Sequence, residues 1–144
     1  MSKILIPFDG SDSSKNAIFK GMSSGIFKDA EIHIVTVIPS RVIAPSKNSY
    51  MGTDMIDAIS KANKAQADET IETAKAIFKD AGGVASAVIR EGDAAEEILA
   101  CAEELKIDLI VMGNRGLGTF KKILLGSVSS KVVSNSNCSV LIVK

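Results

Sequence analysis

The chain has 144 residues, 46% of them hydrophobic and 24% charged, an ordinary globular composition long enough to bury one core. Its Lys and Arg equal its Asp and Glu at 17 each, so no whole-molecule field draws it to nucleic acid or an anionic membrane, and neither is expected as a partner. Its two cysteines, Cys101 and Cys138, form no Cys-x-x-Cys, which excludes a disulfide scaffold or a zinc site and suits a reducing cytosol.

The segment "KILIPFDGS" (3–11) starts as a buried strand and breaks at Pro7 into a loop. No signal-peptide pattern precedes it, so a cytoplasmic location is expected. Ser13 or Ser14 is expected to cap a helix running to about Lys28, with Ala17, Ile18, Met22 and Ile26 as its apolar stripe. Gly21 and Gly25 weaken that helix and are read as letting it approach its sheet closely. "EIHIVTVIP" (31–39) is β-branched and apolar and reads as a second buried strand ended by Pro39. Residues 40–54 read as a loop. A long helical pattern follows from about Met55 to Ala81, stopped by Gly82 and Gly83.

"VASAVIREG" (84–92) reads as a third strand. "DAAEEILACAEELK" opens with Asp93 and Glu96 spaced as in a capping box, then carries Ile98, Leu99, Ala102 and Leu105 on one face. "DLIVMG" (108–113) is a fourth strand, Ser127 to about Ser134 a short helix, and "SVLIVK" (139–144) a last strand. The apolar runs are strand length, far too short to span a bilayer. Strand and helix alternate throughout. The expected fold is therefore α/β: one domain over 1–144, a Rossmann-like open five-stranded parallel sheet with helices on both faces. The common strand order, 3-2-1-4-5, is expected.

In such a sheet ligands bind beyond the carboxyl ends of the strands, where the order reverses. Here the reversal lies between strands one and four, whose ends are "PFDGS" and "MGNRG". The stretch "GNRGLGTFKKILLGSVS" places glycines at 113, 116, 118 and 126, with Ser127 directly after the last. Missing side chains let backbone N–H groups approach an anion. Gly126 leads into a helix start, which offers unpaired N–H donors and a positive dipole end. The hydroxyls of Ser127 and Ser129 add donors, and Arg115, Lys121 or Lys122 can offset phosphate charge. At ~7% glycine, this spacing followed by Ser or Thr arises by chance in on the order of one such chain in a hundred. It is not a Walker A loop, since no G-K-[ST] ends it, and it does not follow the first strand as the dinucleotide fingerprint does. Strand three ends in Arg90-Glu91-Gly92, where a phosphoacceptor receiver domain would want Asp.

With G-x2-G-x9-G-[ST] read as Gly113, Gly116, Gly126 and Ser127, the chain resembles the ATP-binding branch of the universal stress protein (UspA) family. The likeness extends to "ILIPFDGS", "VTVI", "REGDAAEEIL", "DLIVMGNRG" and "CSVLIVK". It implies that Pro7, Phe8 and Asp9 line the adenine and ribose end and that Val37 meets adenine with its backbone. It implies that Met112, Gly113, Arg115 and Gly116 hold ribose and α-phosphate. Gly126, Ser127, Val128 and Ser129 would then receive the β- and γ-phosphates. The implied cofactor is ATP, with Mg²⁺ carried on the phosphates and few protein ligands. A homodimer through the last strand (139–144) is implied too, which suits an apolar edge strand that would otherwise stay unpaired. The protein partner is unknown.

Plainer readings stand beside these. Asp9 either makes an Asx-turn with its own loop or contacts ligand. Asp93 reads as a helix cap, His33 as a satisfied strand residue, and both cysteines as packing residues. No nucleophile is paired with a base in the sequence. The expectation is a nucleotide-dependent stress-response module. The alternatives are a slow ATPase or self-phosphorylating protein using Ser127 or Ser129, and a protein-interaction dimer with an empty pocket.

Overall fold

The computed structural model describes residues 1–40, 52–115 and 125–144. Five strands and four helices alternate along these residues. They are β1 (Lys3–Pro7), α1 (Asp12–Ser23), β2 (Glu31–Pro39), α2 (Thr53–Asp80), β3 (Ser86–Gly92), α3 (Ala94–Leu105), β4 (Leu109–Gly113), α4 (Ser127–Asn135) and β5 (Ser139–Val143). The strands form one sheet in the order β3-β2-β1-β4-β5, and every pairing is parallel. This is the expected fold and strand order.

Successive strand residues face opposite ways, and each face builds its own core. Ile4, Ile6, Ile32, Ile34 and Val111 pack with Ala17 and Ile18 of α1 and with Ala74 and Phe78 of α2. Leu5, Val35, Ile110 and Met112 pack on the other face with Ala95, Ile98, Cys101 and Ala102 of α3 and Val132 of α4. Burial on both faces explains why β1, β2 and β4 read as continuous apolar runs rather than alternating ones.

The edge strand β3 is held to α3 by one arginine. Arg90 donates from Nε to Glu97 at 2.8 Å and from Nη1 and Nη2 to Glu104 at 2.7 and 3.1 Å. These bonds, those to Glu104 foremost, push the Arg90 pKa further up. They hold the Glu104 carboxyl below the usual carboxylate range. Between the two glutamates on α3, burial pushes the Cys101 thiol up.

Helix α1 departs from expectation at both ends. Its cap is Ser11, not Ser13 or Ser14, because the Ser11 hydroxyl accepts the Ser14 N–H. It stops at Ser23, five residues short of Lys28, because Gly25 takes φ +78° and turns the chain away. Gly21 makes room for the Phe27 ring rather than for the sheet, since a Cβ there would stand 2.1 Å from the ring. A Cβ on Gly25 would meet nothing within 4 Å. Part of the expected 40–54 loop, and Gly116, Gly118, Lys121 and Lys122, lie outside the described residues.

Candidate functional site

The sheet order sets the tips of β1 and β4 side by side. Beyond them opens a cleft of about 540 Å³, counting the part open to solvent.

The β1 side is fixed by backbone and hydroxyl bonds to β2. The Phe8 N–H donates to the Val35 carbonyl at 2.9 Å, and the Thr36 hydroxyl donates to the Phe8 carbonyl at 2.8 Å. Asp9 Oδ1 then accepts the Ser11 N–H at 2.9 Å, an Asx-turn closed over Gly10 at φ +83°. Asp9 also lines the cleft. The turn reading of this residue holds: one oxygen shapes the loop, and the exposed carboxylate borders the cavity.

On the β4 side, Met112, Gly113 and Arg115 line the same space. Gly113 is needed for a reason its spacing did not suggest. A Cβ there would stand 2.2 Å from Ser13 Oγ and 2.7 Å from the Ser13 carbonyl oxygen, so its absence admits the first turn of α1. Asn114 is buried; its N–H donates to the Val143 carbonyl of β5 at 3.0 Å.

Helix α4 closes the far wall. Its N-cap is Gly126, which has no side chain to bond the helix start. The Ser11 and Asp93 side chains, in contrast, accept N–H groups at the starts of α1 and α3. The Gly126 N–H itself donates to the Asn114 carbonyl at 2.6 Å. The main-chain donors of the first turn are therefore those of Ser127, Val128 and Ser129, at the positive end of the helix. The Ser129 hydroxyl, expected as a phosphate donor, gives its hydrogen to the Gly113 carbonyl at 2.9 Å. Ser129 is 3% exposed, whereas Ser127 is exposed and lines an adjoining groove that shares Ala94 and Val128 with the cleft.

Nine of the anticipated residues thus border one cavity: Pro7, Phe8, Asp9, Val37, Met112, Gly113, Arg115, Val128 and Ser129. Gly126 caps the helix beside it and Ser127 faces the next groove. Sequence reasoning missed Ser14, Val35, Ala94 and Ile98. The last two sit four apart on α3, and that spacing was the signal that could have found them.

The walls are mostly apolar, with a few converging polar groups, as in small-molecule sites generally. Among the described residues no group of three or more His, Cys, Asp or Glu is placed to hold a metal ion. His33 lies away from the cleft, bonded to Glu31 at 2.8 Å and to Ser86 at 2.8 Å. Among the described residues, no helix is long and apolar enough to cross a membrane.

Comparison with known proteins agrees with this architecture. The family model for the universal stress protein family matches residues 1–144. Universal stress protein YxiE of Bacillus subtilis is 35% identical over 146 residues, covering 99% of both chains. The solved structure of protein MJ0577 of Methanocaldococcus jannaschii superposes with a TM-score of 0.84 at 31% identity, covering 99% of this chain and 95% of that one. A universal stress protein solved in complex with cAMP superposes with a TM-score of 0.60 at 28% identity, covering 99% and 96%. The chain belongs to the universal stress protein family.

Proposed function

We propose that this chain is an ATP-binding regulatory module of the stress response, acting as a homodimer. One observation carries the reading. The neighbouring tips of β1 and β4 frame an apolar-walled cleft, and the start of α4, uncapped by its own N-cap residue, looks onto its far side. Adenine and ribose sit against Pro7, Phe8, Asp9 and the backbone of Val37, with Ala94 and Ile98 of α3 as the apolar wall. Met112, Gly113, Arg115 and Gly116 hold ribose and α-phosphate. The N–H groups of Ser127, Val128 and Ser129 take the β- and γ-phosphates, where the helix dipole favours negative charge. The relative that was solved with cAMP supports an adenine nucleotide as the ligand class.

Divalent metal fits this site as a passenger on the phosphates. Asp9 is the carboxylate at the cleft, and the described residues form no three-ligand set for a resident ion. Bound Mg²⁺ would screen the triphosphate charge. The chain's part is to orient the nucleotide and keep its base out of water.

Dimerisation fits β5, a sheet edge whose Val140, Leu141, Ile142 and Val143 are only partly buried. Pairing it with a second copy removes an exposed edge.

Calorimetric titration with ATP and Mg²⁺ tests the nucleotide reading. One saturable site per chain is expected. Val128→Trp, which fills the cleft with an indole, is expected to abolish it while the unfolding midpoint holds. A wild-type protein that shows no saturable binding would overturn the reading.

A further inference from the structure

Three serines crowd the start of α1, and two of them are occupied with the helix itself. Ser11 caps it, accepting the Ser14 N–H at 3.1 Å, and Ser14 Oγ donates back to the Ser11 carbonyl at 2.9 Å. Ser13 takes no part in that cap. Its hydroxyl reaches across the fold to a segment 101 residues later, donating to Asn114 Oδ1 at 3.2 Å. The same oxygen accepts the Arg115 N–H at 3.3 Å. The absence of a Cβ on Gly113 is what lets Ser13 come this close.

A hydroxyl that gives one hydrogen bond and takes another has its direction fixed. Here the two bonds go to consecutive residues, a side chain and a main-chain N–H, so they fix the path of the chain as it leaves β4. That path decides where Arg115 enters the cleft. Asn114 carries the constraint further, because its carbonyl holds the Gly126 N–H at the start of α4. One hydroxyl on α1 is thus bonded to the two residues that lead to both features of the phosphate end, the arginine directly and the helix start through Asn114.

The geometry points to Ser13 as the positioning residue of the phosphate half of the site. It aligns Arg115 and the α4 N–H groups for the charged tail of the nucleotide, and it does not touch the adenine end. The inference rests on the nucleotide reading above, and it predicts a dependence on phosphate that a general packing role does not. A residue that only stabilised the fold would weaken every ligand alike. A residue that aligns the phosphate donors weakens ATP and spares adenosine.

The test compares ATP with adenosine on three proteins: wild type, Ser13→Ala and Ser13→Thr, with Mg²⁺ present and thermal unfolding recorded without ligand. Ser13→Ala is expected to raise the Kd for ATP about tenfold and to leave that for adenosine within about twofold. Ser13→Thr keeps the hydroxyl and is expected to return ATP affinity to within about threefold of wild type. Asn114→Ala, which removes the acceptor but leaves Ser13, is expected to show the same split between the two ligands. Adding it to Ser13→Ala should weaken ATP less than the two single effects combined, as for residues in one network. Unchanged ATP affinity in Ser13→Ala, or equal weakening of ATP and adenosine, overturns the inference while the nucleotide reading stands. Failure of wild type to bind ATP overturns the nucleotide reading itself.

Discussion

The Ser129 hydroxyl donates a 2.9 Å hydrogen bond to the carbonyl oxygen of Gly113, sixteen residues earlier in the chain. With the Gly126 N–H bound to the Asn114 carbonyl, it zips the first turn of α4 onto the tip of β4. Both partners are buried. Ser129→Ala leaves a buried carbonyl without this donor, a loss of about 1–3 kcal/mol. Urea unfolding is expected to show a lower midpoint with an unchanged slope, since the surface exposed on unfolding stays the same. A midpoint equal to wild type would show that the bond contributes nothing.

Gly113→Ala is expected to be worse than its single methyl suggests. The new Cβ would lie 2.7 and 2.8 Å from the carbonyl oxygen and carbon of Ser13, backbone atoms that cannot swing aside. Overpacking of this kind costs typically about 1–3 kcal/mol. Gly83→Ala is the control, because its nearest neighbour would stand at an ordinary 3.4 Å. The expected outcome is a clear drop in unfolding midpoint for Gly113→Ala and a change within about 0.5 kcal/mol for Gly83→Ala. Equal midpoints would remove the argument that Ser13 and Gly113 are fitted to each other.

The gap between what the sequence discloses and what it hides follows the range of the interactions. β2 is bounded as read, at Glu31 and Pro39, because a β-branched run ended by proline is a local signal. The Asp93 cap is local too, its carboxylate accepting the Glu96 N–H three residues on. The start of α1 was misread because Ser11, Ser13 and Ser14 are all competent caps. The choice falls to the Asp9 turn, which the β2 contacts of Phe8 hold in place. The parallel sheet was legible from the alternation of strands and helices, whereas its order came from the commonest arrangement, and the location of the cleft followed from that order. The reason for Gly113 was not. Its spacing suggests a ligand, but its close contact is with a serine a hundred positions away, and no local pattern reports that.

The two cysteines differ in what surrounds them. Cys101 is 1% exposed, and burial raises its thiol pKa, so little reactive thiolate forms there. Cys138 is half-buried beside the Ser136 hydroxyl. A water-soluble thiol reagent at about pH 8 is expected to modify one thiol per native chain and two after denaturation. Cys138→Ser should abolish the native reaction. Rapid modification of Cys101 in the folded protein would mean that the α3 face opens far more readily than its packing implies.

The Arg90 clamp sets an acid limit on the edge strand. Glu104 is about 60% exposed, yet its hydrogen bonds from Arg90 lower its pKa on folding. The unfolded chain therefore binds the proton first as pH falls, so the stability that this pair contributes rises with pH. It is fully present above the unfolded carboxylate value of about 4.3 and is lost as pH falls through the lower folded value. Glu104→Gln removes the titrating group while keeping its size. The difference in unfolding midpoint between wild type and Glu104→Gln is expected to be constant near neutrality and to shrink as the pH falls below about 4. High salt at neutral pH should shrink it as well, because so exposed a pair is readily screened. A difference that persisted unchanged at about pH 2 would assign the effect to packing of the side-chain stem, and the charge of Glu104 would have no part in holding β3 to α3.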